Sequence, residues 1–275
     1  LGNVYTVGRF GGTVDFNPGV AVNNIASAGS NDIFISKLDS SGNYVYAYGF
    51  GSTGGDSATS IVVDSSNNIY VVGSFLGGID FDPGVGDATL FSNGNSDIFV
   101  MKLDSAGVFQ WARSLGAAGA DTAIDVAFDS TGSNVYVTGT FSNTVDFDPG
   151  AGTANLASSG GLDAYVLKLD AAGSYVWARG VGGTSSDQGT SLATDSTGAT
   201  YITGYFSDTV DFDPGAGTSN LISAGSLDIY TLKLDAAGSY VWARGVGGTG
   251  SDNPNAMALD PSGNVLHVGA FSGTA

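Results

Sequence analysis

One string constrains this chain more than any other. Asp-Phe-Asp-Pro-Gly, or its variant Asp-Phe-Asn-Pro-Gly, recurs with its proline at Pro18, Pro83, Pro149 and Pro214, steps of 65 or 66 residues. A Lys-Leu-Asp string keeps the same beat from Lys37, Lys102, Lys168 and Lys233, and a Gly-x-Phe string does so at Gly8, Gly73, Gly139, Gly204 and Gly269. The segment Asp170 to Thr184 is identical to Asp235 to Thr249. A fixed period of this kind means a tandem array in which each unit buries its apolar face against the next. We read residues 1–275 as a single array with units beginning near 1, 58, 122, 190 and 255.

Within a unit the pattern predicts four strands, in the third unit Thr122–Phe128, Val135–Phe141 running on toward Phe147, Ala164–Leu169 and Tyr175–Arg179. Each is a short run rich in Val, Ile, Tyr and Phe, bounded by Gly, Asp, Ser or Asn. Asp129-Ser-Thr-Gly132 and Asp170-Ala-Ala-Gly173 read as turns with Asp first and Gly fourth. Four antiparallel strands per repeat describe a β-propeller blade, so the fold class is all-β, with about four blades in the chain. The small residues of the first strand suit the crowded inner position, and the aromatic positions suit packing between sheets. A closed four-bladed ring, a segment of a larger ring, and two chains sharing one ring all remain open at this point. A final strand near Val265–Phe271 would be left over in the first of these.

Composition agrees. All 26 acidic residues are aspartate, there is no glutamate, and Gly supplies 44 positions. Aspartate and glycine favour turns over helices. With 8 basic residues the net charge is −18, which repels nucleic acid. No apolar run is long enough for a membrane-spanning helix. Cysteine is absent, which removes disulfides, thiol nucleophiles and thiolate metal sites. The chain opens on Leu1 without a signal peptide, as expected of a trimmed or excised segment.

The string Gly54-Gly55-Asp56…Ser60-Ile61-Val62-Val63-Asp64…Asn68-Ile69-Tyr70-Val71-Val72-Gly73 resembles the SBBP-type bacterial β-propeller repeat. It returns around Asp187 to Gly204 and from Asp252 to Asn264. The likeness covers essentially the whole chain. It implies a propeller in a secreted or cell-surface setting and carries over no catalytic residue. The first unit departs from the pattern, with Tyr46-Ala47-Tyr48 where later units have Trp-Ala-Arg, and Asn17 where later units have Asp.

Residues present in every unit read as scaffold, because an active site needs residues that are not copied. Lysines 37, 102, 168 and 233 form one column and arginines 113, 179 and 244 another, expected to make cross-strand charge pairs with aspartates and to stack on aromatics. Trp111, Trp177 and Trp242 could alternatively offer stacking platforms to a glycan. Only Asp87, Asp125 and Asp208 fall outside the six aspartate columns. His267, the sole histidine, replaces a strand residue. The glycine pairs Gly182-Gly183 and Gly247-Gly248 do not open helices, so they make poor phosphate loops.

Asp-Phe-Asp-Pro-Gly itself reads as a type II turn, with Pro149 fixing φ and Gly150 at positive φ. Two carboxylates two residues apart also lie on one side of an extended strand and could hold Ca²⁺. The candidate metal ligands are therefore Asp15, Asp80, Asp82, Asp146, Asp148, Asp211 and Asp213, with Asp56, Asp121, Asp187 and Asp252 as a second column. No catalytic residue and no other cofactor is indicated. The expected function is a non-catalytic extracellular scaffold or binding module that presents repeated loops to a protein or glycan at a cell surface. Alternatives are a Ca²⁺- or glycan-binding adhesion module and a carboxylate-based glycosidase or lyase, the latter built on Asp87, Asp125 and Asp208. Self-association through open propeller ends is a further expectation.

Overall fold

The computed structural model describes Gly2–Gly273, so Leu1, where the first unit was placed, lies outside it. Among the described residues every regular element is a β-strand. The chain divides into two compact units, 1–122 and 123–275.

In the first unit, β1 (Val4–Phe10), β4 (Asp32–Leu38) and β5 (Tyr44–Phe50) form a three-stranded antiparallel sheet. Between β1 and β4 stands a short hairpin, β2 (Thr13–Asp15) with β3 (Asn24–Ala26). The second repeat is complete: β6 (Ser57–Val63), β7 (Ile69–Phe75), β10 (Asp97–Leu103) and β11 (Phe109–Leu115) lie side by side. Its own hairpin is β8 (Gly78–Asp80) with β9 (Thr89–Phe91).

The second unit repeats the plan. One sheet is β12 (Thr122–Phe128), β13 (Asn134–Phe141), β16 (Asp163–Asp170) and β17 (Tyr175–Val181). The next is β18 (Gln188–Thr194), β19 (Thr200–Phe206), β22 (Asp228–Leu234) and β23 (Tyr240–Val246). Their hairpins are β14 (Thr144–Asp146) with β15 (Asn155–Ala157), and β20 (Thr209–Asp211) with β21 (Asn220–Ile222). A last pair, β24 (Asn253–Leu259) and β25 (Val265–Ala270), ends the described chain.

The four-stranded antiparallel sheet is a propeller blade, and about four repeats of it make up the chain. One expectation needs correcting. The second strand does not run on toward Phe147: it stops at Phe141, turns at Asn143 (φ 61°), and starts a separate arm at Thr144. The corner needs a left-handed residue, and Gly12, Gly77, Asn143 and Asp208 all supply one at this position. Each arm is bolted down by the first half of its motif. Val145 and Val210, with Phe81, Phe147 and Phe212, are fully buried. Phe147 meets Phe141 edge-on at 5.4 Å and Tyr165 at 4.9 Å, and Phe212 meets Phe206 and Tyr230 in the same way.

Aromatic and branched residues also pack sheet against sheet, as expected. In the first unit Ile33 and Ile35 share a core with Phe75, Phe99 and Met101 of the following repeat. In the second unit Tyr136, Val166 and Trp177 share one with Ile202, Tyr230 and Leu232. Burial of this apolar area is the main force joining neighbouring repeats.

Candidate functional site

The aspartate columns divide into three kinds of structural device. The first is the hairpin turn. Asp129, Asp170, Asp195 and Asp235 each accept the N–H of a glycine three residues on at the main-chain carbonyl, while the carboxylate takes N–H groups two and four residues on. The glycines, Gly132, Gly173, Gly198 and Gly238, all have positive φ, as the sequence pattern required. Loss of hydration works against the Asp195 carboxylate, but Thr197, Ala199 and Lys233 donate to it and hold its pKa at about 2.

The second device is the Asp-Phe-Asp-Pro-Gly arm. Asp146 Oδ1 accepts the Asp148 N–H at 3.0 Å and the Ala154 N–H at 2.7 Å, closing the base of the arm. Asp15, Asp80 and Asp211 do the same in their repeats. At Asp15 the donors Asn23 and Asn17 lower the pKa below its ordinary value. Asp148 Oδ1 accepts the Gly150 N–H at 2.8 Å, and Asp82 and Asp213 take the matching glycines. The turn is therefore an Asx turn and not type II: Gly19, Gly84, Gly150 and Gly215 are absent from the left-handed region. The side chain mimics a backbone turn, so the glycine has no need of positive φ. Asn17 does the same through Oδ1 to Gly19, which explains why the first unit tolerates Asn.

The second oxygen of Asp148 packs against the arm tip. A Cβ on Gly152 would lie 2.1 Å from it, and Gly86 and Gly217 stand in the same relation to Asp82 and Asp213. In the first repeat both partners change together, to Asn17 and Ala21. The seven candidate metal ligands are thus drawn into their own arms as turn acceptors. Among the described residues no three Asp or His side chains come together.

The third device is a buried pair at each repeat junction. Asp56, Asp187 and Asp252 each use both oxygens: Asp187 takes the Gly183 and Ser207 N–H groups, tying the loop after one sheet to the second strand of the next. Asp32, Asp97, Asp163 and Asp228 lie beside them, at most 4% exposed. In this column one oxygen accepts a single N–H and the other, Oδ1, has no partner. Burial and the neighbouring Asp121 and Asp187 push the pKa of Asp97 and Asp163 up to about 6. Each of these carboxylates lies flat on a glycine: a Cβ on Gly51, Gly116, Gly182 or Gly247 would come within 2.4 Å of its Cγ. That is why a glycine follows the last strand of every repeat; it makes room for an acid and cradles no phosphate.

The basic columns act between repeats. In the first unit Lys37 Nζ donates to the Ser105 carbonyl at 2.8 Å, with its charge over the Tyr5 and Tyr46 rings. In the second unit Lys168 Nζ and Trp177 Nε1 both donate to the Ala236 carbonyl. Arg179 adds bonds to the Gly238 and Ala237 carbonyls at 2.8 and 3.2 Å. Lys, Trp and Arg therefore grip the Asp-x-x-Gly turn of the following repeat. The expected pairing of these lysines with aspartates gives way here to carbonyl acceptors, because the turn presents its main chain to them. The expected stacking of Arg on Trp is present, with Arg113, Arg179 and Arg244 5.2–5.9 Å from their indole centroids. Trp111 and Trp177 are under a tenth exposed and so are not open platforms for a sugar. Sequence reading missed this grip. Its signal was the pairing of the Lys-Leu-Asp-x-x-Gly column with the Trp-x-Arg column in the second to fourth repeats.

The three uncopied aspartates have separate local roles in three repeats. Asp87 caps Thr89 in an arm, and Asp125 binds Ser191 and Leu192 of β18. Asp208 stands at the left-handed corner otherwise filled by glycine or asparagine, held by Ser185. His267 touches Thr203 and Thr231 through its two ring nitrogens, and loss of hydration lowers its pKa.

No family model matches the chain. It is similar to an uncharacterised WD repeat-containing protein of Acanthamoeba polyphaga mimivirus, 26% identical over 92% of this chain and 22% of that protein. It is also similar to the regulatory protein FlaEY of Caulobacter vibrioides, 30% identical over 61% of this chain and 18% of that protein. The chain spans about a fifth of the length of these curated relatives. The WD-repeat relative agrees with blades of the propeller type.

Proposed function

We propose that the chain is a non-catalytic propeller scaffold that presents its arms to a partner at a cell surface. The observation that carries this reading is the contrast within each arm. The base is immobilised by two Asx bonds and a phenylalanine, fully buried at Phe81, Phe147 and Phe212 and half-buried at Phe16, whereas the tip is exposed and takes three sequences in the four repeats. The tips read Val20-Ala21-Val22, Val85-Gly86-Asp87, Ala151-Gly152-Thr153 and Ala216-Gly217-Thr218. Val20 and Val85 are fully exposed, and Phe91 and Ile222 on the outer arm strands are at least 70% exposed. Rigid bases with exposed tips suit weak contacts repeated from arm to arm, which add through multivalency. The secreted or cell-surface setting rests on the resemblance of the repeat, and the partner would be a protein or a glycan.

The enzyme alternative is less well supported, since the uncopied carboxylates are each occupied in a turn, a corner or a strand contact. The test is binding of labelled protein to bacterial cells, with Val20→Asp and Val85→Asp combined in one variant. Unchanged melting with lost cell binding supports presentation by the tips. Undiminished binding by the variant, or turnover of a polysaccharide that Asp125→Asn abolishes, overturns it.

A further inference from the structure

In the second repeat several departures from the copied template converge on one cleft. It lies between β11 and β9, with the arm residues just before β9, and is open, with a volume of about 590 Å³. Five of the residues that wall it differ from those at the same position in every other repeat. Asp87 stands where Val22, Thr153 and Thr218 do, and Thr89 where the others have Asn. Phe91 replaces Ala26, Ala157 and Ile222, Phe109 replaces three tyrosines, and Gln110 replaces three valines. Scaffold positions are copied from repeat to repeat, so uncopied side chains gathered around one cleft mark a site.

The changes have consequences at the cleft wall. In the other three repeats a tyrosine hydroxyl, of Tyr44, Tyr175 or Tyr240, accepts the N–H of the alanine three residues on. In the first and fourth it also bonds the arm, through Asn23 and Ser219. Phe109 has no hydroxyl, so the Ala112 N–H on the cleft wall lacks that acceptor. Phe91 is 70% exposed, and its ring lies over Gly78, its partner across the hairpin, where a Cβ would come within 2.7 Å of it. The other arms have threonine at that point, so Gly78 is a matching change that makes room for the ring. Asp87 Oδ1 takes the Thr89 N–H and hydroxyl at 3.0 and 2.6 Å, which holds its pKa below the ordinary value. Gln110 is exposed, and its Nε2 makes only long contacts, at 3.4 Å, with Asp104 and the Val108 carbonyl.

The geometry points to a binding site for a neutral glycan in this cleft. Phe91 packs against the C–H face of a hexose, and Asp87, Gln110 and the Ala112 N–H bond its hydroxyls. A sugar hydroxyl both donates and accepts, and the wall offers each kind of partner. The carboxylate accepts, the N–H donates and the amide does both. The exposed ring supplies the apolar surface, and the volume falls in the range of small-ligand clefts. Trp111 contributes to the wall without being an open platform, since it is 9% exposed. This rests on the scaffold reading and names its partner as a glycan.

The test is isothermal titration calorimetry of the full chain with a panel of soluble neutral oligosaccharides of glucose, galactose, mannose and N-acetylglucosamine. Uronic-acid oligosaccharides serve as the comparison. Three variants each install a residue that other repeats already carry at that position: Phe91→Ala, Gln110→Val and Phe109→Tyr. Wild-type protein is expected to bind at least one neutral sugar of the panel. With melting unchanged, Phe91→Ala and Gln110→Val should each weaken that binding by about tenfold or more. Phe109→Tyr should weaken it as well, because the new hydroxyl takes the Ala112 N–H. No binding of any neutral sugar by the wild type overturns the proposal, as does an affinity that survives all three variants. Binding confined to the uronic-acid sugars would assign recognition to Arg113 on the same wall and overturn it too. The assay contains no cells, so its failure removes the glycan site and leaves the adhesion test of the arm tips standing.

Discussion

A carboxylate buried against a glycine with one oxygen unpartnered is destabilised as an anion, because the lost hydration is not replaced. Asp97 and Asp163 show the consequence in a pKa of about 6 against an ordinary 3.8. In the unfolded chain these acids ionise near 3.8; in the folded protein they keep their protons to about 6. The folded state therefore binds more protons between these values, and stability falls as pH rises from about 4 through 6. Melting followed across this window should show that fall. Asp97→Asn combined with Asp163→Asn should flatten it, while the exposed control Asp87→Asn should leave it in place. An unchanged slope in the double variant would assign the effect to overall charge. The arm phenylalanines give a second expectation at this scale. Phe147→Ala removes a fully buried ring and should cost about 3–5 kcal/mol in denaturant unfolding.

At the scale of the element, the Asp-x-x-Gly turn has two functions, and its glycine separates them. Positive φ is needed to close the turn wherever it occurs, in Gly42 as in Gly238. A bare Cα is needed only where a ring covers it, since a Cβ on Gly238 would lie 2.9 Å from the Trp177 indole. Gly42→Ala should therefore cost only the left-handed strain, roughly 1–2 kcal/mol. Gly238→Ala should cost measurably more by the amount of the disturbed contact. Equal losses in urea unfolding would show that the turn does not depend on the packing between repeats. The arm shows the same economy of parts, with one aspartate closing the base and the next folding the tip. Because these bonds lie within one hairpin, the motif could be copied without change wherever a repeat was duplicated.

For the whole molecule, the −18 charge is mostly turn chemistry copied from repeat to repeat, and the carboxylates lie on main-chain N–H groups more than on cations. Long-range repulsion among them is screened by salt. Melting temperature should rise with NaCl. At matched ionic strength Ca²⁺ and Mg²⁺ should act alike, since the arm carboxylates serve as turn acceptors. A Ca²⁺-specific increase, reversed by chelator, would reveal a cation site in the arms. Among the described residues no helix is long and apolar enough to cross a membrane.

Repeat length, strand positions, turn glycines and the all-β class could be read from the residues because each depends on interactions close in sequence and is written four times. The third repeat's first strand was predicted to the residue, and Asp-x-x-Gly turns were read correctly from Asp and Gly alone. The Asx geometry of the arm was not legible, since Pro-Gly is compatible with two turn types and the choice depends on where one side-chain oxygen points. Nor was it visible that a lysine column would meet carbonyls of the next repeat, some 68 residues away, or that an aspartate would be buried against a glycine. Local sequence determined which backbone each segment adopts. Tertiary packing alone decided which polar groups lose water, and so which aspartates hold a turn and which hold a proton.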